Sequence, residues 1–216
     1  MLQYNRRTRT LATGFSCVAG YVDAIGFLMT GGFFVSFMSG NSTRLGIGIA
    51  EGSSAAGFAA LLLVTFVAGV MLGALVGRMS KSYRQVAVLT LVTGLLAAAL
   101  LLDRLGAGRL AAIPMVLAMG AENTVFAEDG EVRIGLTYMT GTLVKFGKRL
   151  TAALLGGDRM GWAPFLMLWL GLVAGAVSGA LAYERFGMMA LAGAIMAMAI
   201  LTVLMLAAGP DRVERQ

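Results

Sequence analysis

Four stretches of this chain carry no charged residue over at least 18 positions: 52–77, 85–102, 160–183 and 186–210. Each is near or above the roughly 18–20 residues that an apolar helix needs to span a bilayer. Two more apolar stretches, 11–29 and 110–127, are each broken by one acid, Asp23 and Glu122. With 58% hydrophobic and 13% charged residues among 216, the chain lacks the charge to cover a water-soluble surface of this size. Six crossings are predicted, with the bilayer as solvent.

The first apolar stretch follows Arg6, Arg7 and Arg9, the layout of a secretory signal. It is read instead as a retained crossing, because no small-residue cleavage site follows and apolar character continues past Asp23. Cys17 is read as filler. One cysteine and no histidine remove intrachain disulfides, Cys/His zinc sites and Cys-His or Ser-His catalysis. No enzyme, cofactor or metal is therefore expected. The net charge of +6 is assigned to membrane topology and not to nucleic acid.

One phrase is written twice. Ser36-Phe37-Met38-Ser39-Gly40 returns as Thr137-Tyr138-Met139-Thr140-Gly141, and Arg44-Leu45-Gly46 returns as Lys145-Phe146-Gly147, both at an offset of 101. The apolar helices that follow also match. Val67-Ala68-Gly69 with Gly73-Ala74-Leu75 corresponds to Val173-Ala174-Gly175 with Gly179-Ala180-Leu181. Duplication predicts two repeats: residues 1–105, with crossings near 11–29, 56–77 and 85–102 and a broken polar segment at 33–50; and residues 106–216, with crossings near 110–127, 161–183 and 187–208 and a broken segment at 136–151.

Loop charge bears on whether the polar segments cross. If both dip in and return, 13 of the 17 Lys and Arg lie on the cytoplasmic side, leaving Arg44, Arg104, Arg109 and Arg185 outside. If both cross fully, Arg78, Lys81 and Arg84 move outside and two cations approach the hydrocarbon. The positive-inside rule favours the first arrangement, with both termini cytoplasmic. The expected fold is thus an all-α membrane protein of six transmembrane helices in two inverted three-helix repeats, each with a re-entrant or broken polar segment.

Polar breaks at corresponding places in two halves point to a solute site. Gly31-Gly32 and Gly40-Asn41 read as interruptions, and Ser39 to Thr43, like Thr140-Gly141-Thr142, as caps for short helices whose positive ends suit an anion. Arg44 and Lys145 would add positive field, or else snorkel to the headgroups. Asp23 is expected to pair with Arg44 and Glu122 with Lys145, the alternative being structural bonds to backbone or hydroxyl groups. Gly20 aligned with Gly120 puts Asp23 opposite Asn123. The candidate binding or coupling residues are Asp23, Ser39, Gly40, Asn41, Arg44, Glu122, Asn123, Thr140, Gly141, Thr142 and Lys145.

Gly69, Gly73 and Gly77, and Gly171, Gly175 and Gly179, form two small-residue stripes that permit close helix approach. They are expected to join the second and fifth crossings, or to join protomers in a homo-oligomer. The 15 methionines are scattered filler and not a copper path. Glu128-Asp129-Gly130-Glu131 is read as a solvated turn, since it lacks the length of a calcium loop.

Gly20-Tyr21-Val22-Asp23-Ala24, the run from Phe37 to Gly46, and Tyr138-Met139-Thr140-Gly141-Thr142-Leu143 together resemble the YoaK family. The resemblance spans nearly the whole chain. It implies six crossings and a bacterial inner membrane, and it implies no substrate. Glu122 departs from it, standing where Gln is expected before Asn123. The functional expectation is a transporter or channel for a small solute, an anion or organic acid favoured, with its site between the repeats. The alternative is a membrane scaffold or assembly partner with a dry, fully paired centre.

Overall fold

The computed structural model describes residues 6–80, 83–128, 131–132 and 135–208. Lys81 and the Asp129-Gly130 pair lie outside the described residues. Among the described residues the regular structure is helical apart from one short antiparallel pair, in which Ala127 faces Val132 and Glu128 faces Glu131. The helices are α1 (Arg6–Thr30), α2 (Met38–Ala50), α3 (Ala55–Met79), α4 (Arg84–Arg104), α5 (Ala112–Glu122), α6 (Met139–Leu154), α7 (Ala163–Phe186) and α8 (Leu191–Ala208).

Among the described residues, four runs are long and apolar enough to cross a membrane: α1, α3, α4 and the 45-residue stretch Ala163–Ala207. That stretch holds both α7 and α8, divided at Gly187, whose φ of +55° ends the first helix. The segment expected to cross at 110–127 contains a helix of only 11 residues, α5, about 16 Å long. A short 3-10 turn precedes it at Gly108–Ala111, and irregular turns follow over 123–126.

Glycines fix how the helices meet. An added Cβ on Gly171 or Gly179 of α7 would strike the backbone of Thr13 or Tyr21 of α1, and one on Gly175 would strike the Cys17 carbonyl. The order of these contacts makes α1 and α7 parallel. On the other side, Gly69 and Gly73 of α3 press on Leu117 and Ala121 of α5, so these two are parallel as well. The partners reciprocate: Gly20 sits on Leu172 and Ala176, and Gly120 on Phe66 and Val70. The stripes therefore join each long glycine helix to the first helix of the other half, and do not join the second and fifth crossings to each other. They are filled within one chain, because backbone-to-backbone approach needs a glycine on at least one side.

Arg109, just before α5, donates from Nη2 to the Thr30 carbonyl at 2.6 Å. The start of α5 thus lies at the end of α1, and the α1–α7 pair runs opposite to the α3–α5 pair. α4 packs between α5 and α8, and α8 returns onto α1. Phe15, Leu62, Leu96, Met115, Met119 and Leu168 fill the interior, while Val64, Met71, Leu75, Val177, Leu181 and Ile200 are exposed on outer faces. An apolar outer surface of this extent suits hydrocarbon and not water.

Replacing Gly175 by Ala is expected to destabilise the fold by about 1–3 kcal/mol through overpacking against Cys17. Gly94→Ala, in open space on α4, is the matched control. Thermal unfolding in detergent should lower the midpoint for the first variant alone.

Candidate functional site

α1 ends at Thr30, and the chain turns on Gly31 (φ +74°) and Gly32 (φ +109°), conformations that side-chain-bearing residues rarely adopt. It then runs back beside α1. Val35 N and Ser36 N donate to Asp23 Oδ1 at 2.9 and 2.7 Å. Gly26 leaves the space that the Val35 side chain occupies. α2 then starts at Met38 and returns along the same leg. Asn41 holds both polar groups of Phe34, accepting from its amide at 3.0 Å and donating to its carbonyl at 2.7 Å. Arg44 closes the turn, with its guanidinium 4.9 Å from the centre of the Phe33 ring and beside Gly32.

The second half repeats the plan with neutral partners. Asn123 Oδ1 accepts from Thr137 Oγ1 at 3.0 Å, and its amide donates to Met119 O at 2.9 Å. Thr137 aligns with Ser36 and Asn123 with Asp23, so corresponding side chains hold corresponding loops. Ser16 Oγ, 3.1 Å from both Leu136 O and Leu168 O, ties this second loop to α1 and α7.

The two copies of the repeated phrase then face each other. A cavity of about 280 Å³ is lined by Ser36, Phe37, Met38 and Ser39 from one copy, by Thr137, Tyr138, Met139, Thr140 and Gly141 from the other, and by Phe66. α2 and α6 both begin at this cavity. They end beside the starts of α3 and α7 respectively, and those helices run in opposite directions, so α2 and α6 leave the cavity in opposite senses. No side chain caps either start, at Phe37 or at Tyr138. The first amides of both helices therefore point their positive ends at one space.

Several expectations need correction. Ser39 to Thr43 do not cap α2, because the helix starts earlier and they lie inside it. The Ser42 and Thr43 hydroxyls turn back to Met38 O and Ser39 O, the nearest acceptors within a helix. Thr142 does the same with Tyr138 O. Asp23 is not paired with Arg44: backbone amides engage it, and the guanidinium lies further along, at the Gly31-Gly32 turn. Lys145 is exposed, and Glu122 is 0% exposed with neither carboxyl oxygen hydrogen-bonded among the described residues.

Of the candidate residues, Ser39, Thr140 and Gly141 reach the cavity wall, while Asp23, Asn41 and Asn123 support it from behind. Gly40 and Arg44 line a separate cavity of about 470 Å³ with Glu51. Sequence reasoning passed over Ser36 and Thr137 as lining residues and Arg109 as the latch on α1. The first two were legible, since they head the repeated phrase. Arg109 had no sequence signal, because its partner is a backbone carbonyl 79 positions away.

Residues 11–205 match the family described as "Protein of unknown function (DUF1275)". The chain belongs to this family. A UPF0700 transmembrane protein of Rhizobium meliloti (strain 1021) is 38% identical over 186 residues, covering 84% of this chain and 78% of the relative. The YoaK resemblance is borne out, as YoaK is a member of DUF1275. No solved structure matches. With four helices of spanning length, this DUF1275 chain is a membrane protein of an uncharacterised family.

Asp23→Ala strands the Val35 and Ser36 amides and is expected to cost about 1–3 kcal/mol for each lost acceptor contact. Asp23→Asn keeps an acceptor oxygen and copies the residue used in the other half, so its cost should be well under that of Ala. Thermal melts of the two variants side by side check this order.

Proposed function

We propose that this DUF1275 protein passes a small anion or organic acid across a bacterial inner membrane, through the space where the two repeated phrases meet. The observation that carries this reading is the cavity lined by both phrases, with two uncapped helix starts directed at it. Free amides and aligned helix dipoles favour negative charge, and the hydroxyls of Ser36, Ser39, Thr137 and Thr140 supply further donors. In this reading α2 and α6 are re-entrant half-helices. At 13 and 16 residues they are about 20 and 24 Å long, short of the roughly 30 Å hydrocarbon core.

The same reading takes the two halves as inverted repeats. In its support, the α1–α7 and α3–α5 seams use glycines at corresponding positions and run in opposite directions. Both termini then lie in the cytoplasm, as the loop charges favour. The site groups bind and orient, with no catalytic role. Glu122, sealed and without a hydrogen-bond partner among the described residues, one position before Asn123, is the candidate coupling group, because an ionisable residue at membrane depth is by default functional.

A scaffold remains the second reading, and one observation favours it: Asp23, Asn41, Asn123 and Thr137 are all satisfied within the chain. The open cavity and the unpaired Glu122 weigh against a dry, fully paired centre.

Gly141 separates the two readings. A Cβ there meets nothing within 4 Å, so Gly141→Leu places its side chain at the cavity wall without disturbing the fold. A thermal-shift screen of small anions and organic acids identifies the solute, a ligand at one hundred times its Kd stabilising by about 2.7 kcal/mol. In proteoliposomes, Gly141→Leu is then expected to lower flux of that solute at least about tenfold while the melting midpoint holds. Unchanged flux would remove the cavity from the route. A wild type that no solute stabilises would favour the scaffold.

A further inference from the structure

A second concave surface lies away from the repeated phrases, where α1 and α7 open apart at their starts. This groove, about 760 Å³, is floored by Gly14, Cys17, Pro164 and Met167 and carries Arg6 and Arg9 at its mouth. It is apolar along its length and cationic at one end.

The geometry points to an anionic phospholipid as its occupant, with the headgroup phosphate on Arg6 and Arg9 and an acyl chain laid along the apolar floor. Three features converge on that chemistry. Arg9 is part-buried and Arg6 is exposed, and both line the groove, so its mouth carries two positive charges. α1 and α7 run parallel, so the Arg6 end of α1 and the Ala163 end of α7 flank the same mouth. Trp162 stands beside it, its indole N–H donating to Arg159 O at 2.8 Å, a residue type characteristic of the membrane interface.

Asp158, in the turn before α7, accepts from the Met160 amide at 3.1 Å and does not line the groove. Basic pockets between membrane helices are a recurrent place for anionic headgroups, and each arginine near the surface favours an anionic lipid about fivefold. A free phosphate would use the arginines and leave the apolar floor uncovered. The lipid covers both.

Cys17 gives a direct reading, since it lines the groove, is partly exposed and is the one cysteine of the chain. Its alkylation by N-ethylmaleimide is timed in neutral detergent with added phosphatidylglycerol or phosphatidylcholine. Native mass spectrometry counts the lipid retained. Phosphatidylglycerol is expected to protect Cys17 at about thirtyfold lower concentration than phosphatidylcholine. Arg6→Gln and Arg9→Gln should each erase about fivefold of that preference, while Arg7→Gln, exposed and off the groove, should erase clearly less than either. Equal protection and equal retention of the two lipids would overturn the assignment. So would protection by inorganic phosphate alone, which would mean an ion at the arginines and no lipid. The wild-type comparison stands by itself if an arginine variant does not fold.

Discussion

Backbone that leaves a helix inside an apolar molecule must find partners for every N–H and C=O, and the rest of this structure is arranged around that requirement. The segment from Gly31 to Phe37 is such a stretch. Asp23 meets two of its amides, Asn41 meets both groups of Phe34, and Thr30 Oγ1 accepts from Phe33 N at 3.0 Å. Without these contacts each stranded group would cost several kcal/mol in a lipid setting. With them, the chain can turn back, and α2 can begin beside the cavity, part-way along α1. In the second half Ser16 meets the Leu136 carbonyl and Asn123 holds the Thr137 hydroxyl, and the start of α6 lies against the same cavity.

The glycine seams make those two solutions meet. Because α7 lies on α1 and α3 lies on α5, each half lends its long glycine helix to the other. The polar loop that each half holds is thereby brought to the shared cavity. A single half has no partner for its glycine face. The two halves interlock through backbone contact, where adding one methyl group forces something to shift. Such seams provide rigid geometry in lipid, where burial of apolar surface gives no drive for helices to associate.

The membrane character of this DUF1275 protein follows from its apolar helices and its family. The proposed solute route and the proposed lipid groove differ in chemistry. The central cavity is lined by hydroxyls and backbone at two uncapped helix starts, whereas the groove is cationic at its mouth and apolar beyond. The first arrangement suits a solute that arrives and leaves. The second suits an amphipathic molecule with one charged end.

Much was legible from residue order. The charge-free runs specify spanning helices because the bilayer thickness sets their length, and the four runs of 18 residues or more recur as α3, α4 and the α7–α8 stretch. The polar phrases specify short helices because Gly31-Gly32 must turn and Met38 can start again. Other points depended on distances between residues far apart in the chain. Glycine spacing shows that a helix can be approached closely, but not by which neighbour, so the pairing of α7 with α1 was not readable. An acid in an apolar helix needs partners, but backbone amides from a loop that folds back meet that need as well as an arginine does, and Asp23 took the amides. Sequence by itself thus determined the spanning helices, the repeated phrase and the polar break at Gly31-Gly32, all set by residue order and by the cost of polar groups in lipid. Only the tertiary structure decided which helices touch, that both phrases share one cavity, and that Arg44 faces away from it, because those outcomes depend on three-dimensional packing between segments up to about 160 positions apart, such as Cys17 and Gly175.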